Sequence, residues 1–213
     1  MTTVLSRPRR ADVRARILEA AARAFFANRY AATRLADIAT EAGFTKGAVY
    51  SNFGGKPELF SAVFAERAAS ITGIALHSTG LLADGDRSRP EPAAAPERDA
   101  LDAVATSLTE QVAAASAGPL VLAEFLALAA RDADVRAAYA TLRTQQARQL
   151  EDQLRGRAGE LSLGPSFDFA LAANLLLTVT NALATEHAAA PEATPPDLIH
   201  DSLLHLLRSL VRG

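Results

Sequence analysis

An all-α fold is the expectation for this 213-residue chain, and three observations lead to it. Alanine, which loses no side-chain entropy on folding and has the best helix propensity, occurs 48 times against 12 glycines. Apolar residues recur at spacings of three and four, and no apolar–polar alternation survives over more than a few positions. Glycine and proline then cut the chain into helix-length pieces. With 49% hydrophobic residues there is enough apolar material for a core, which excludes a mainly disordered chain. The sequence predicts about nine helices, no sheet and no internal repeat.

Residues 1–10 read as a flexible basic arm, with Arg7, Arg9 and Arg10 around Pro8. From about Ala11, the residues Ile17, Ala21, Ala24 and Phe25 form one apolar stripe at the helix period. Thr33 is placed to cap a helix of barely two turns from Arg34 to Glu41, closed by Ala42-Gly43. Thr45 caps another running to about Asn52, and Gly54-Gly55 breaks it. Pro57 suits the first turn of a long helix through about Leu82. Residues 83–97, with three prolines and four acidic residues, are expected to form a mobile loop. Further helices are expected at about 97–116, 119–130, 132–158, 166–189 and 196–211, separated by Gly118-Pro119, Arg131-Asp132, Gly164-Pro165 and Pro191–Pro196.

Several functions are excluded at this level. The absence of cysteine rules out disulfides, thiolate catalysis and cysteine–metal sites. The four histidines do not pair at metal-ligand spacing, and Gly54-Gly55-Lys56 lacks the upstream glycine and following hydroxyl of a phosphate loop. No enzyme, cofactor or metal site is expected. The N-terminus has no uncharged apolar stretch fit for a signal peptide. The longest uncharged apolar-rich run, Phe169–Thr185, carries two Asn and three Thr and is short for a membrane span. A soluble cytoplasmic protein without membrane contact is the expectation. The net charge of −2 hides a division: residues 1–56 carry ten Lys and Arg and four Asp and Glu, whereas 57–213 carry twelve and twenty. The result, +6 on one end and −8 on the body, suits a protein that meets a polyanion with its N-terminal end alone.

Leu35 to Phe53 meets the packing demands of a helix-turn-helix. Ala39 is small where the second helix must pass over the first, and Gly43 stands four residues later where the turn needs positive φ. Ile38, Phe44 and Val49 close the small core. The second helix would enter the major groove with Thr45, Lys46, Gly47 and Ala48 near base edges. Lys46 is the long donor there, suited to guanine or a phosphate; Gly47 and Ala48 permit close approach. Tyr50 can place its hydroxyl on a phosphate, and Lys56, Thr33 and Arg34 stand at helix starts where backbone N–H groups reinforce anion binding. Lys46 and Lys56 are the only lysines in the chain.

The string Ile38-Ala39-x-x-Ala42-Gly43-Phe44-Thr45-Lys46-Gly47-Ala48-Val49-Tyr50-x-x-Phe53-x-x-Lys56-x-x-Leu59 resembles the signature of tetracycline-repressor-type (TetR) regulators. The likeness covers residues 12–65 closely and the remainder in helix number and length. One departure is Gly54-Gly55, where such proteins more often have a single turn residue. The resemblance implies a DNA-binding domain at 11–56 and a helical effector-binding and dimerisation domain at 57–213. It also implies release from double-stranded DNA when a small molecule enters the C-terminal domain.

One short helix reads few base pairs, so a homodimer on a palindromic operator is expected, with half-sites about 34–36 Å apart. The partner surface is placed on the last two helices. Ile199, Leu203, Leu206, Leu207 and Leu210 form one stripe, and Leu175, Leu176, Val179 and Leu183 form the other. Asn174, Thr178, Asn181 and Thr185 make a polar but uncharged stripe on the helix at 166–189, fit for a pocket wall or for a dimer seam. Glu124, the only charge between Gln111 and Ala130, could receive a cationic or hydroxylated ligand or be solvated at a helix edge. His77, Gln111, Phe125 and Tyr139 are further effector candidates. The function expected is a repressor released by a small hydrophobic or amphipathic ligand. A helical scaffold without specific DNA recognition is the alternative.

Overall fold

The structure, a computed structural model, describes residues 9–66, 97–115, 117–159, 161 and 163–212. Arm residues 1–8, His77, the loop at 83–96 and the later part of the helix expected through Leu82 lie outside them. Among the described residues there are nine helices and no strand, as the sequence predicts. They are α1 (Arg10–Ala32), α2 (Leu35–Ala42), α3 (Lys46–Phe53), α4 (56–66, the extent described), α5 (Glu97–Ala114), α6 (Gly118–Ala129), α7 (Ala133–Gly156), α8 (Phe169–Ala189) and α9 (Pro196–Arg212). Two compact units divide the described residues: 9–66 with 121–142, and 97–120 with 143–212. Packing therefore joins residues 57–66 and 121–142 to the N-terminal helices, beyond the sequence boundary drawn at residue 56.

The first unit is organised by rings. Phe60 of α4 lies 5.0 Å from Phe25, 5.1 Å from Tyr30, 4.5 Å from Phe64 and 4.2 Å from Phe125, centroid to centroid. Offset and edge-on ring pairs of this kind add to the free energy of burial itself. Phe125, expected as a ligand contact, is fully buried in this cluster and is a core residue. The α1 stripe read from the sequence is the buried face: Ile17, Ala21, Ala24 and Phe25 all point inward.

α1 does not end smoothly. Arg29 has φ 64° and ψ 170°, a region that glycine occupies freely and other residues at a cost of about 1–3 kcal/mol. Thr33 closes α1 and does not cap α2. Its side chain is buried, and its hydroxyl donates to the carbonyls of Arg29 at 2.7 Å and Ala24 at 3.2 Å. Arg34 is the residue at the α2 start, without a side-chain cap bond.

In the second unit α5 packs against α8 and α9. Leu101, Ala105 and Val112 meet Leu176, Ala184, Ile199, Leu203, Leu204 and Leu207 in one core. Leu176, Ile199, Leu203 and Leu207, expected at a dimer seam, are therefore covered by their own chain. Asp168 caps α8 by accepting the Leu171 N–H at 2.9 Å. The turn into α9 is fastened by His187, whose Nδ1 lies 2.9 Å from the Thr194 carbonyl.

Candidate DNA-reading face

The turn between α2 and α3 follows from Gly43. At φ 76° it takes the left-handed conformation, its N–H reaches the Thr40 carbonyl at 3.1 Å, and Phe44 N–H reaches the Ala39 carbonyl at 2.8 Å. This paired closure satisfies carbonyls the helix end would otherwise leave open. Thr45 then caps α3 by accepting the Ala48 N–H at 3.2 Å. Val49 and Phe53 are buried, so the opposite side of α3 faces outward.

That outward side carries Lys46, Gly47, Tyr50 and Ser51, all exposed, with Ala48 half-buried beside them. Lys46 Nζ lies 5.6 Å from the centroid of the Tyr50 ring, whose residue is 47% exposed. A cation over a ring face is held without losing its donors. Sequence reasoning does not single out Ser51. The signal that could have found it is its spacing: it stands four residues after Gly47, one helical turn along the same face. Its hydroxyl donates to the Ala48 carbonyl at 3.0 Å.

α1 steadies the module from behind. The Arg14 guanidinium lies 4.4 Å from the Phe53 ring centroid, and that of Arg16 lies 4.9 Å from Phe44. Arg23 joins Glu19 and Glu41, each at 2.6 Å. These surface ion pairs contribute little singly. Of the two, Arg23–Glu41 links α1 to α2, whereas Arg23–Glu19 lies within α1.

Lys56 is half-buried rather than free. Its Nζ donates to the Ala31 carbonyl at 3.3 Å and lies 4.3 Å from the centroid of the Tyr30 ring. Burial pulls its pKa below the ordinary lysine value, and the Glu124 carboxylate opposes that. Arg34 is exposed, whereas Thr33 is turned inward.

The candidate effector residues are divided between the two units. Glu124 and Phe125 belong to the first, whereas Gln111, Asn174, Thr178 and Asn181 belong to the second. Glu124 Oε1 accepts the Ala31 N–H at 2.9 Å. Gln111 is half-buried, and its Nε2 donates to the Ser107 carbonyl at 3.1 Å. Asn174 and Thr178 are exposed on α8, where Arg143 donates to the Asn174 carbonyl at 3.1 Å and to Thr178 Oγ1 at 2.7 Å. Asn181 is half-buried. Of the expected seam residues, Leu175 is exposed, and Val179, Leu183, Leu206 and Leu210 are half-buried.

A left-handed turn between two short helices, a capped second helix and an outward face bearing a cation and a phenol define a helix-turn-helix protein. Residues 17–63 match the family of bacterial regulatory proteins, tetR family. Over 52 residues the chain is 52% identical to the HTH-type transcriptional regulator TtgR of Pseudomonas putida, which is 24% of this chain and 25% of that protein. The match thus spans about a quarter of the curated relative's length.

Solved structures extend the likeness of fold to the rest of the chain. A TetR transcription regulator from Haloarcula marismortui has a TM-score of 0.62 at 14% identity, covering 94% of this chain and 99% of that one. The regulator FadR from Bacillus subtilis, in complex with stearoyl-CoA, has a TM-score of 0.56 at 17% identity, covering 91% and 96%. The segment at residues 17–63 is thus similar to the TetR family in sequence, and the rest of the chain is similar to it in fold.

Proposed function

We propose that this chain is a transcriptional regulator without enzymatic activity, which acts in the cytoplasm as a homodimer repressing from a palindromic operator. A small hydrophobic or amphipathic effector releases it. The observation that carries the reading is the outward face of α3: Lys46, Gly47 and Tyr50 stand exposed at the end of a helix whose other side is anchored by Val49 and Phe53. Thr45, Lys46, Gly47 and Ala48 meet base edges; Tyr50 and Arg34 meet phosphates. Lys56 adds a cation while one of its donors holds Ala31. Thr33 is not in this set, because its hydroxyl is engaged inside the unit.

Dimerisation is supported by α8. Among the described helices it alone is long and apolar enough in composition to cross a membrane, yet only 22% of its apolar stretch is buried within the chain. Asn174, Thr178 and Glu186 break its outward face and make a second copy a better cover than lipid. Leu171 at 53% and Leu175 at 36% exposure share that face with Asn174 and Thr178, which favours the seam over a pocket for the polar stripe. The amphipathic effector class follows the family resemblance, and FadR shows that this fold can hold an acyl-CoA.

The test is selection of a random duplex pool by the purified protein, then fluorescence anisotropy on the selected duplex across a salt series. A palindrome whose affinity falls steeply with salt is expected, since each neutralised phosphate releases counterions. Absence of any consensus would favour the scaffold reading. Lys46→Ala should weaken binding by about 1–3 kcal/mol.

A further inference from the structure

The backbone of Ala31 is held at both its N–H and its carbonyl. Glu124 Oε1 on α6 accepts its N–H at 2.9 Å, and Lys56 Nζ at the start of α4 donates to its carbonyl at 3.3 Å. The second carboxylate oxygen of Glu124 is buried and has no hydrogen-bond partner. A carboxylate held with one oxygen unpaired is poorly placed for its own solvation, so the bond to Ala31 and the nearby Lys56 charge keep it there. Tyr30, between Arg29 and Ala31, is fixed by Phe25, Phe60 and Phe125, and Lys56 covers its ring.

What these groups surround is the strained turn at Arg29, with φ 64° and ψ 170°. A non-glycine residue stays in that region only where its surroundings over-determine it. Thr33 donates to the Arg29 carbonyl at 2.7 Å, so both ends of the turn are tied. α2 begins only two residues after Thr33, and α2 carries the turn that presents α3.

Building on the DNA-reading function proposed above, we infer that Glu124 is a positioning residue for DNA recognition: with Lys56 it clamps the Ala31 backbone and holds the strained Arg29 turn, and so the recognition helix, in reading geometry. Glu124 touches no DNA in this scheme. Loosening the clamp lets the turn relax, lowers the fraction of molecules in reading geometry, and weakens apparent affinity by the same factor.

The experiment uses the full chain and the duplex that wild type selects, with thermal melting of each variant recorded first. Glu124→Asp keeps the charge but retracts the carboxylate by one methylene, out of reach of Ala31. It is expected to bind about tenfold more weakly with an unchanged salt slope, because the number of phosphates contacted stays the same. Glu124→Gln keeps length and acceptor, and should bind within about threefold of wild type. Arg29→Gly removes the strain, so the Glu124→Asp/Arg29→Gly protein should return to within about threefold.

Wild-type affinity in Glu124→Asp, an equal loss in Glu124→Gln, or no recovery with Arg29→Gly would each overturn the clamp. If Glu124→Asp melts below the assay temperature, it is compared with its parent in the Arg29→Gly background, where a loss of about tenfold or more overturns the clamp. Failure of the wild type to select any duplex would instead overturn the DNA-reading function, before any variant is made.

Discussion

At Arg29 a bulky residue occupies a backbone conformation that suits glycine, φ 64° and ψ 170°. Relief of that strain is partly offset by the greater freedom glycine has in the unfolded chain. Arg29→Gly should therefore stabilise by about 1 kcal/mol, a rise of about 2–4 °C in Tm for a chain of this size. Differential scanning calorimetry measures it, and a fall in Tm would mean that the turn is not strained in solution. Nothing in the sequence discloses Arg29, because backbone strain arises from what the neighbouring rings and hydrogen bonds impose. Thr33 misleads for a related reason. A threonine before a short apolar-periodic run fits an N-cap, but here its hydroxyl finds carbonyls of the preceding helix within reach. Gly43, Thr45 and Val49, by contrast, were legible, because their roles depend on residues only a few positions away.

Element boundaries were legible to within a few residues throughout α5 to α9, since Gly118-Pro119, Gly164-Pro165 and Pro191–Pro196 interrupt helices for local reasons. What covers each helix was not. Periodicity marks Ile199, Leu203 and Leu207 as one apolar face of α9, but it cannot say whether α5 of the same chain or a second chain lies against it. Phe125 belongs to the same case: an apolar residue beside a lone carboxylate looks like a pocket until Phe60 is found 4.2 Å away. Because α1, α4 and α6 meet at that ring, Phe60→Ala should destabilise by about 3–5 kcal/mol in urea unfolding followed by circular dichroism. A loss below about 1 kcal/mol would mean that the aromatic cluster collapses over the cavity.

For the whole molecule, the charge division and the exposed α8 face make separable predictions. Leu175, 36% exposed between Asn174 and Thr178, should act at the seam between copies. Leu175→Arg puts like charges close together across a two-fold axis and should shift the protein to monomer in multi-angle light scattering at micromolar concentration. Operator affinity should fall with it, because one half-site contributes too few base contacts. A dimer that survives Leu175→Arg would place the seam elsewhere. The +6 N-terminal end was readable by counting alone, and the α3 face agrees with it: its long cation, Lys46, is exposed.

The scarcity of lysine turns the protein into its own reporter of occupancy. An amine-acylating reagent followed by peptide mass spectrometry has two side chains to modify, at Lys46 and Lys56. Lys46 is open at the start of α3, whereas Lys56 is half-buried and tied to Ala31. Acylation of Lys46 should therefore be fast in the free protein and suppressed by the selected duplex, while that of Lys56 should be slow with or without it. On the function proposed above, an effector that frees the protein from DNA should restore the Lys46 signal, which makes the reaction a label-free screen for such a molecule.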